Sequence, residues 1–159
     1  MQDERVIELN VGCHPAAGVS SAILIQPENA DSVVLCFRTV ASNKTTAVVE
    51  FLNCQLTRFG YPNDEGLPEH PLYSKGLARA MYSVCEVLNS SWAAMERDRQ
   101  RNSALRIRGD ASWVKTDRHF LVSLHDGTFE CLADDLNVRE YNEPFSEVVL
   151  QITKRLVNE

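Results

Sequence analysis

The stretch Arg118-His-Phe-Leu-Val-Ser-Leu-His-Asp-Gly-Thr-Phe-Glu-Cys-Leu-Ala-Asp134 decides how this chain is read. Apolar and polar residues alternate on both sides of Asp126-Gly127, a dipeptide favoured by the tight primed turns of β-hairpins. With that turn, His125 pairs with Thr128, Leu124 faces Phe129, Ser123 faces Glu130, Val122 faces Cys131, Leu121 faces Leu132 and His119 faces Asp134. Side chains alternate between the two faces of a strand. One face then carries Phe120, Val122, Leu124, Phe129, Cys131 and Ala133, and is expected in the core. The other carries His119, Ser123, His125, Thr128, Glu130 and Asp134, with Leu121 and Leu132 as its apolar members. It is expected to be polar and solvated.

Outward from the hairpin, most segments also read as strands. Residues 5–11 and 20–26 are rich in β-formers, and 32–40 contains the continuous apolar run Val33-Val-Leu-Cys-Phe37, expected as a central strand. Residues 13–18 read as a loop, and 27–31 and 41–45 as turns. Residues 46–59 are expected to form one long strand. Residues 60–76 hold three prolines and three glycines and are expected to be an irregular but packed loop. Residues 77–89 fit either a strand or a helix, with the strand favoured because Asn89-Ser90-Ser91 suits a helix N-cap. A mid-chain helix is then expected over residues 91–102, a connection over 103–117 and an extension of the hairpin over 137–141. Val148, Val149, Ile152, Leu156 and Val157 have helical spacing and predict a C-terminal helix over residues 145–157. No alternation of strand and helix appears, so the expected class is α+β, a single domain over residues 1–159, mainly antiparallel sheet.

The chain has 159 residues, 44% of them hydrophobic, and a formal charge of −6. That balance disfavours a general nucleic-acid binder, which needs a basic field. No apolar run reaches the length of a membrane helix, and Met1-Gln-Asp-Glu-Arg5 lacks a signal core, so a cytoplasmic protein is expected. Five cysteines with no C-x-x-C pair argue against a disulfide framework or a cysteine zinc site. Cys13 and His14 are adjacent and point to opposite faces of an extended chain, a poor arrangement for a nucleophilic dyad. The arginines at 97, 99, 101, 106 and 108 alternate with acids and read as a solvated helix face. The acidic C-terminal third suits a basic partner or plain solubility. There is no phosphate-binding glycine loop, dinucleotide fingerprint or nucleophile elbow.

Two clusters carry candidate chemistry. On the hairpin, His125 with Glu130 and Ser123 forms a candidate catalytic group, since a carboxylate beside an imidazole orients it and raises its pKa. In the loop, His70, Asp64 and Glu65 are nitrogen and oxygen ligands. Joined to His125, they would form a His/His/carboxylate set suited to a divalent metal. The structural alternatives are a solvated strand face for the first cluster and local turn hydrogen bonds for the second.

Residues 59–77, Phe-Gly-Tyr-Pro-Asn-Asp-Glu-Gly-Leu-Pro-Glu-His-Pro-Leu-Tyr-Ser-Lys-Gly-Leu, continue to Glu86-Val-Leu-Asn-Ser-Ser-Trp92. Together with 118–133 they resemble a group of small uncharacterised bacterial proteins with no assigned function, over about residues 47–135. The resemblance implies that loop and hairpin belong to one unit. The leading functional expectation is a small binding protein without catalysis or cofactor, its partner another protein or a small polar ligand. The second is a metal-dependent or acid–base enzyme, such as a hydrolase, with its site between the 60–76 loop and the 118–134 hairpin.

Overall fold

The computed structural model describes residues 3–19, 21–28, 31–40 and 45–157. Among these residues, nine strands form two antiparallel sheets. The first sheet contains β1 (Arg5–Glu8), β5 (Leu56–Gly60), β6 (Val84–Leu88), β7 (Arg118–Ser123) and β8 (Thr128–Ala133), in the order β1-β6-β7-β8-β5. The second contains β2 (Ala22–Ile25), β3 (Val33–Arg38), β4 (Thr46–Leu52) and β9 (Asp135–Tyr141), in the order β2-β3-β4-β9. Two helices, α1 (Ser91–Arg108) and α2 (Phe145–Val157), complete an α+β architecture. No helix among the described residues is long and apolar enough to cross a membrane.

The alternation in the sequence explains the layering. Val33, Leu35 and Phe37 of β3, with Ala47, Val49 and Phe51 of β4, face Phe120, Val122, Phe129, Cys131 and Ala133 of the other sheet. Phe51 anchors this interior, its ring 5.7 Å from Phe120 and 5.1 Å from Phe129. The intervening residues Val34, Cys36 and Val48 point outward and are covered by Val148, Ile152 and Leu156 of α2. Thus β3 is apolar on both faces because both are buried. The expected core face of the hairpin and the C-terminal helix are both present.

The outer face of the first sheet differs from expectation. His119, Ser123, Thr128 and Glu130 are buried there, not solvated. Loop residues Leu67, Leu72 and Leu77 cover Val6, Cys85, Val87 and Leu121, while Trp92 and Ala93 of α1 cover Leu132. The apolar pair Leu121 and Leu132 signals this burial in the sequence, since a solvated face has no use for two leucines. The 60–76 loop is ordered into short 3-10 turns at Leu67–Glu69 and Tyr73–Lys75, followed by another at Leu77–Arg79. Residues 84–88 then form a strand.

The register of the hairpin also needs correction. Ser123 pairs with Thr128, Val122 with Phe129, Leu121 with Glu130 and His119 with Leu132. The chain reverses over His125-Asp126, closed by Leu124 N–H donating to Gly127 O at 2.9 Å. Relative to the expected pairing this is a slip of two positions, which preserves the faces because the side-chain period is two. Gly127 serves a close approach and not a left-handed turn: a Cβ there would lie 2.9 Å from Gly60 O.

The segment 46–59 is two strands, β4 and β5, in different sheets. Between the pairs Leu52↔Asp135 and Leu56↔Leu132, residues 53–55 oppose residues 133–134. This extra residue, with Asn53 at φ 49°, bends the ladder around the corner of the sandwich. The same corner takes β9 into the second sheet, where it pairs with β4 and does not extend the hairpin. Helix α1 starts at the expected cap, Ser90 Oγ accepting the Ala93 N–H at 3.1 Å. It runs past Asn102 to Arg108 and ends at Gly109, whose φ of 70° suits the left-handed C-cap. Buried Ala104 and the helix formers around it carry it through the polar Asn102-Ser103 pair. The expected turn at 41–45 falls mostly outside the described residues.

Candidate functional site

The residues singled out in the sequence separate into two clusters. The first is buried between the outer face of β7–β8, the loop and the start of α1. Glu130 receives His119 Nε2 at 2.8 Å and His70 Nε2 at 3.3 Å. The tautomers follow from the neighbours. His70 Nδ1 accepts the Leu72 N–H at 3.2 Å, so its proton sits on Nε2. The Glu130 carboxylate can only accept, so His119 also presents Nε2–H to it, and the Ser90 hydroxyl, which accepts the Ala93 N–H, lies 2.8 Å from His119 Nδ1. Burial opposes ionisation of Glu130, but the hydrogen bonds from His119 and His70 outweigh it and lower its pKa to about 2. Trp92 caps the cluster, its ring edge-on to His119 at 5.0 Å, and Arg58 stacks on Trp92 at 3.8 Å. This cluster holds loop, sheet and helix together.

The second cluster is at the hairpin tip. Asp64 N–H donates to His125 O at 3.0 Å, which seats the loop on the turn. Asp64 Oδ2 accepts from His125 Nδ1 at 2.8 Å and from the Tyr82 hydroxyl at 2.6 Å, while Oδ1 accepts the Glu65 N–H at 2.8 Å. The Tyr82 and His125 bonds lower the Asp64 pKa; in return Asp64 raises the pKa of His125 and pushes Tyr82 up to about 12. Tyr82 is held at φ 54°, a costly conformation for a bulky residue, with its N–H bonded to Ser123 Oγ at 2.7 Å. The hydrogen bonds of Ser123 Oγ are therefore with the Tyr82 N–H and Ala80 O, and not with His125 or Glu130; it fixes the backbone of the tyrosine that supports Asp64.

These arrangements overturn both sequence-derived groupings. Glu130 is not the partner of His125, because the register places it opposite Leu121 and turns it toward His119 and His70. The set His70, Asp64, Glu65 and His125 does not converge: His70 binds Glu130, His125 binds Asp64, and Glu65 is exposed. Among the described residues, no group of three or more such side chains has an arrangement suited to a metal ion.

His125 is about one-third exposed, and it lines a pocket of about 440 Å³. The pocket opens at the end of the sandwich where β3, β5 and the hairpin tip meet the segment around Pro15. Its walls are largely apolar, from Ile23, Phe37, Phe59, Leu124 and Phe145. Its polar groups include Arg38, His125 and Asp126. Arg38 makes no ion pair among the described residues and lies 5.7 Å from the Phe145 ring centroid. His125 Nε2 makes no hydrogen bond among them; its nearest acidic atom is Asp126 Oδ1 at 3.8 Å. Sequence reasoning missed Arg38 and Tyr82. Arg38 had a signal, a charge directly ending the buried run Val33–Phe37. Tyr82 had none, because its role depends on a backbone conformation that no pattern encodes.

Comparison with known proteins finds no matching family model, no matching curated protein and no matching solved structure.

Proposed function

We propose that this protein binds a small, partly apolar molecule in the pocket at the open end of the sandwich. The observation that carries the reading is the pocket itself: about 440 Å³ with apolar walls and a few convergent polar groups. Ligand sites commonly have that size and character. The supporting geometry is the rigid backing of His125 by Asp64, Tyr82 and Ser123, which holds a polar group in place at the pocket wall. Rigid presentation lowers the ordering cost of binding. Of the two partners expected from the sequence, another protein or a small polar ligand, this reading takes the second and makes it amphipathic.

A fragment screen by amide NMR tests this reading. Binding fragments should shift resonances of Ile23, Phe59, Leu124 and His125 together, and Ala22→Phe should remove those shifts by filling the pocket. Fragments that bind elsewhere, or equally well to Ala22→Phe, would refute it.

A second reading has a specific observation behind it. A carboxylate on Nδ1 and a free Nε2 are the arrangement of a general base. In this acid–base reading, Asp64 replaces Glu130 as the orienting group. Cleavage of a short p-nitrophenyl ester, abolished in His125→Gln and retained in Glu130→Gln, would favour it over simple binding.

A further inference from the structure

Resting on the binding reading, we propose that the pocket selects an alkyl carboxylate, its acid group held between Arg38 and His125 and its chain lying along the apolar wall. Charge accounting at the pocket supports an anion. Arg38 has no carboxylate partner among the described residues, although the chain carries an excess of acids. A half-buried guanidinium left unpaired beside aromatic rings is a ready site for a carboxylate, which it grips through parallel N–H donors. His125 supplies a second donor through Nε2.

The acids around His125 do not cancel this preference. Asp64 is occupied by donors from Tyr82, His125 and Glu65. Glu65 is exposed and acts on His125 only at a distance. Asp126 is exposed at the rim, 3.8 Å from Nε2, and is the group a ligand carboxylate would replace. From α2, the neighbour within the pocket is the apolar Phe145; from the N-terminal segment, Pro15 and Ala16. The charges that line the pocket, Arg38, His125 and Asp126, therefore sum to +1 when His125 is protonated and to zero when it is not, with the Asp64 carboxylate behind the imidazole on the side away from Nε2. The raised pKa of His125 extends the protonated range toward neutral pH. Carboxylate binding weakens as pH rises through that value.

The probes are octanoate, n-octylamine and n-octanol, of matched chain length, titrated calorimetrically into the full chain. Octanoate should bind about tenfold or more tightly than the amine, the usual worth of a charge-assisted contact. Arg38→Gln should weaken octanoate by a similar factor and leave octanol unchanged. His125→Gln should abolish the difference in octanoate affinity between about pH 6 and about pH 9. Equal binding of the three probes, or tighter binding of the amine, would overturn the carboxylate preference while leaving the pocket reading standing. Binding of all three that persists in Ala22→Phe, or no binding of any, would overturn both.

Discussion

Replacing Glu130 by glutamine should cost stability in a pH-dependent way, and the structure sets the scale. Glu130 is 8% exposed and accepts from two imidazole N–H groups. Its pKa falls from the ordinary 4.5 to about 2. That shift corresponds to about 3 kcal/mol of folding stability at neutral pH. The sign follows from the depressed value: the contribution is fully present above 4.5 and is lost as pH falls through about 2. By about pH 3, roughly 2 of those kcal/mol are gone. Glutamine has one acceptor oxygen, so its NH2 group confronts one of the two ring N–H donors, an unmade bond costing about 1–3 kcal/mol. Urea denaturation of both proteins at about pH 7 and about pH 3 measures this. A stability gap of about 3 kcal/mol at the higher pH, shrinking to about 1 at the lower, is expected. A gap that stays constant with pH, or one within about 0.5 kcal/mol throughout as on a solvated strand face, would refute the buried cluster.

Other substitutions probe the remaining features. Phe129→Ala should cost about 3–5 kcal/mol in denaturant unfolding, since the ring is fully buried against Phe51. Asp64→Asn should lower the His125 pKa toward its ordinary 6.5, read from the imidazole resonances by NMR. The raised pKa of His125 contributes stability below 6.5 that is lost as pH rises through the folded value, so this pH dependence should also diminish in Asp64→Asn. Gly127→Ala should destabilise by about 1–3 kcal/mol, because its Cβ would press on Gly60 O. Tyr82→Gly should tolerate the positive φ but loosen Asp64, seen as faster amide exchange at Asp64 and Glu65.

The layers of the fold were legible wherever a periodicity stated them. The alternation of Phe120, Val122, Phe129 and Cys131, the buried run of β3 and the spacing of Val148, Ile152 and Leu156 each marked a buried face. The same period made the hairpin faces insensitive to the two-position slip in register, while neighbours across the strands were sensitive to it. The hairpin pattern therefore sets Glu130 beside His125, whereas the actual register turns it to His119. The break at residues 53–55 carries no glycine or proline and rests on one extra residue with Asn53 at φ 49°, so β4 and β5 read as one strand. Of the site, His125, Asp64 and Ser123 were visible as polar residues near a turn or in a loop. Their grouping depended on where the irregular segment 60–76 lies, and no local pattern fixes that.

The His125 imidazole offers the most direct measurement. Its pKa should be followed by NMR in the free chain and in the chain saturated with octanoate. Binding of a carboxylate at Nε2 should raise the His125 pKa further and leave the resonances of buried His119 unmoved. An unchanged His125 pKa at saturating octanoate would contradict an anion site in this pocket.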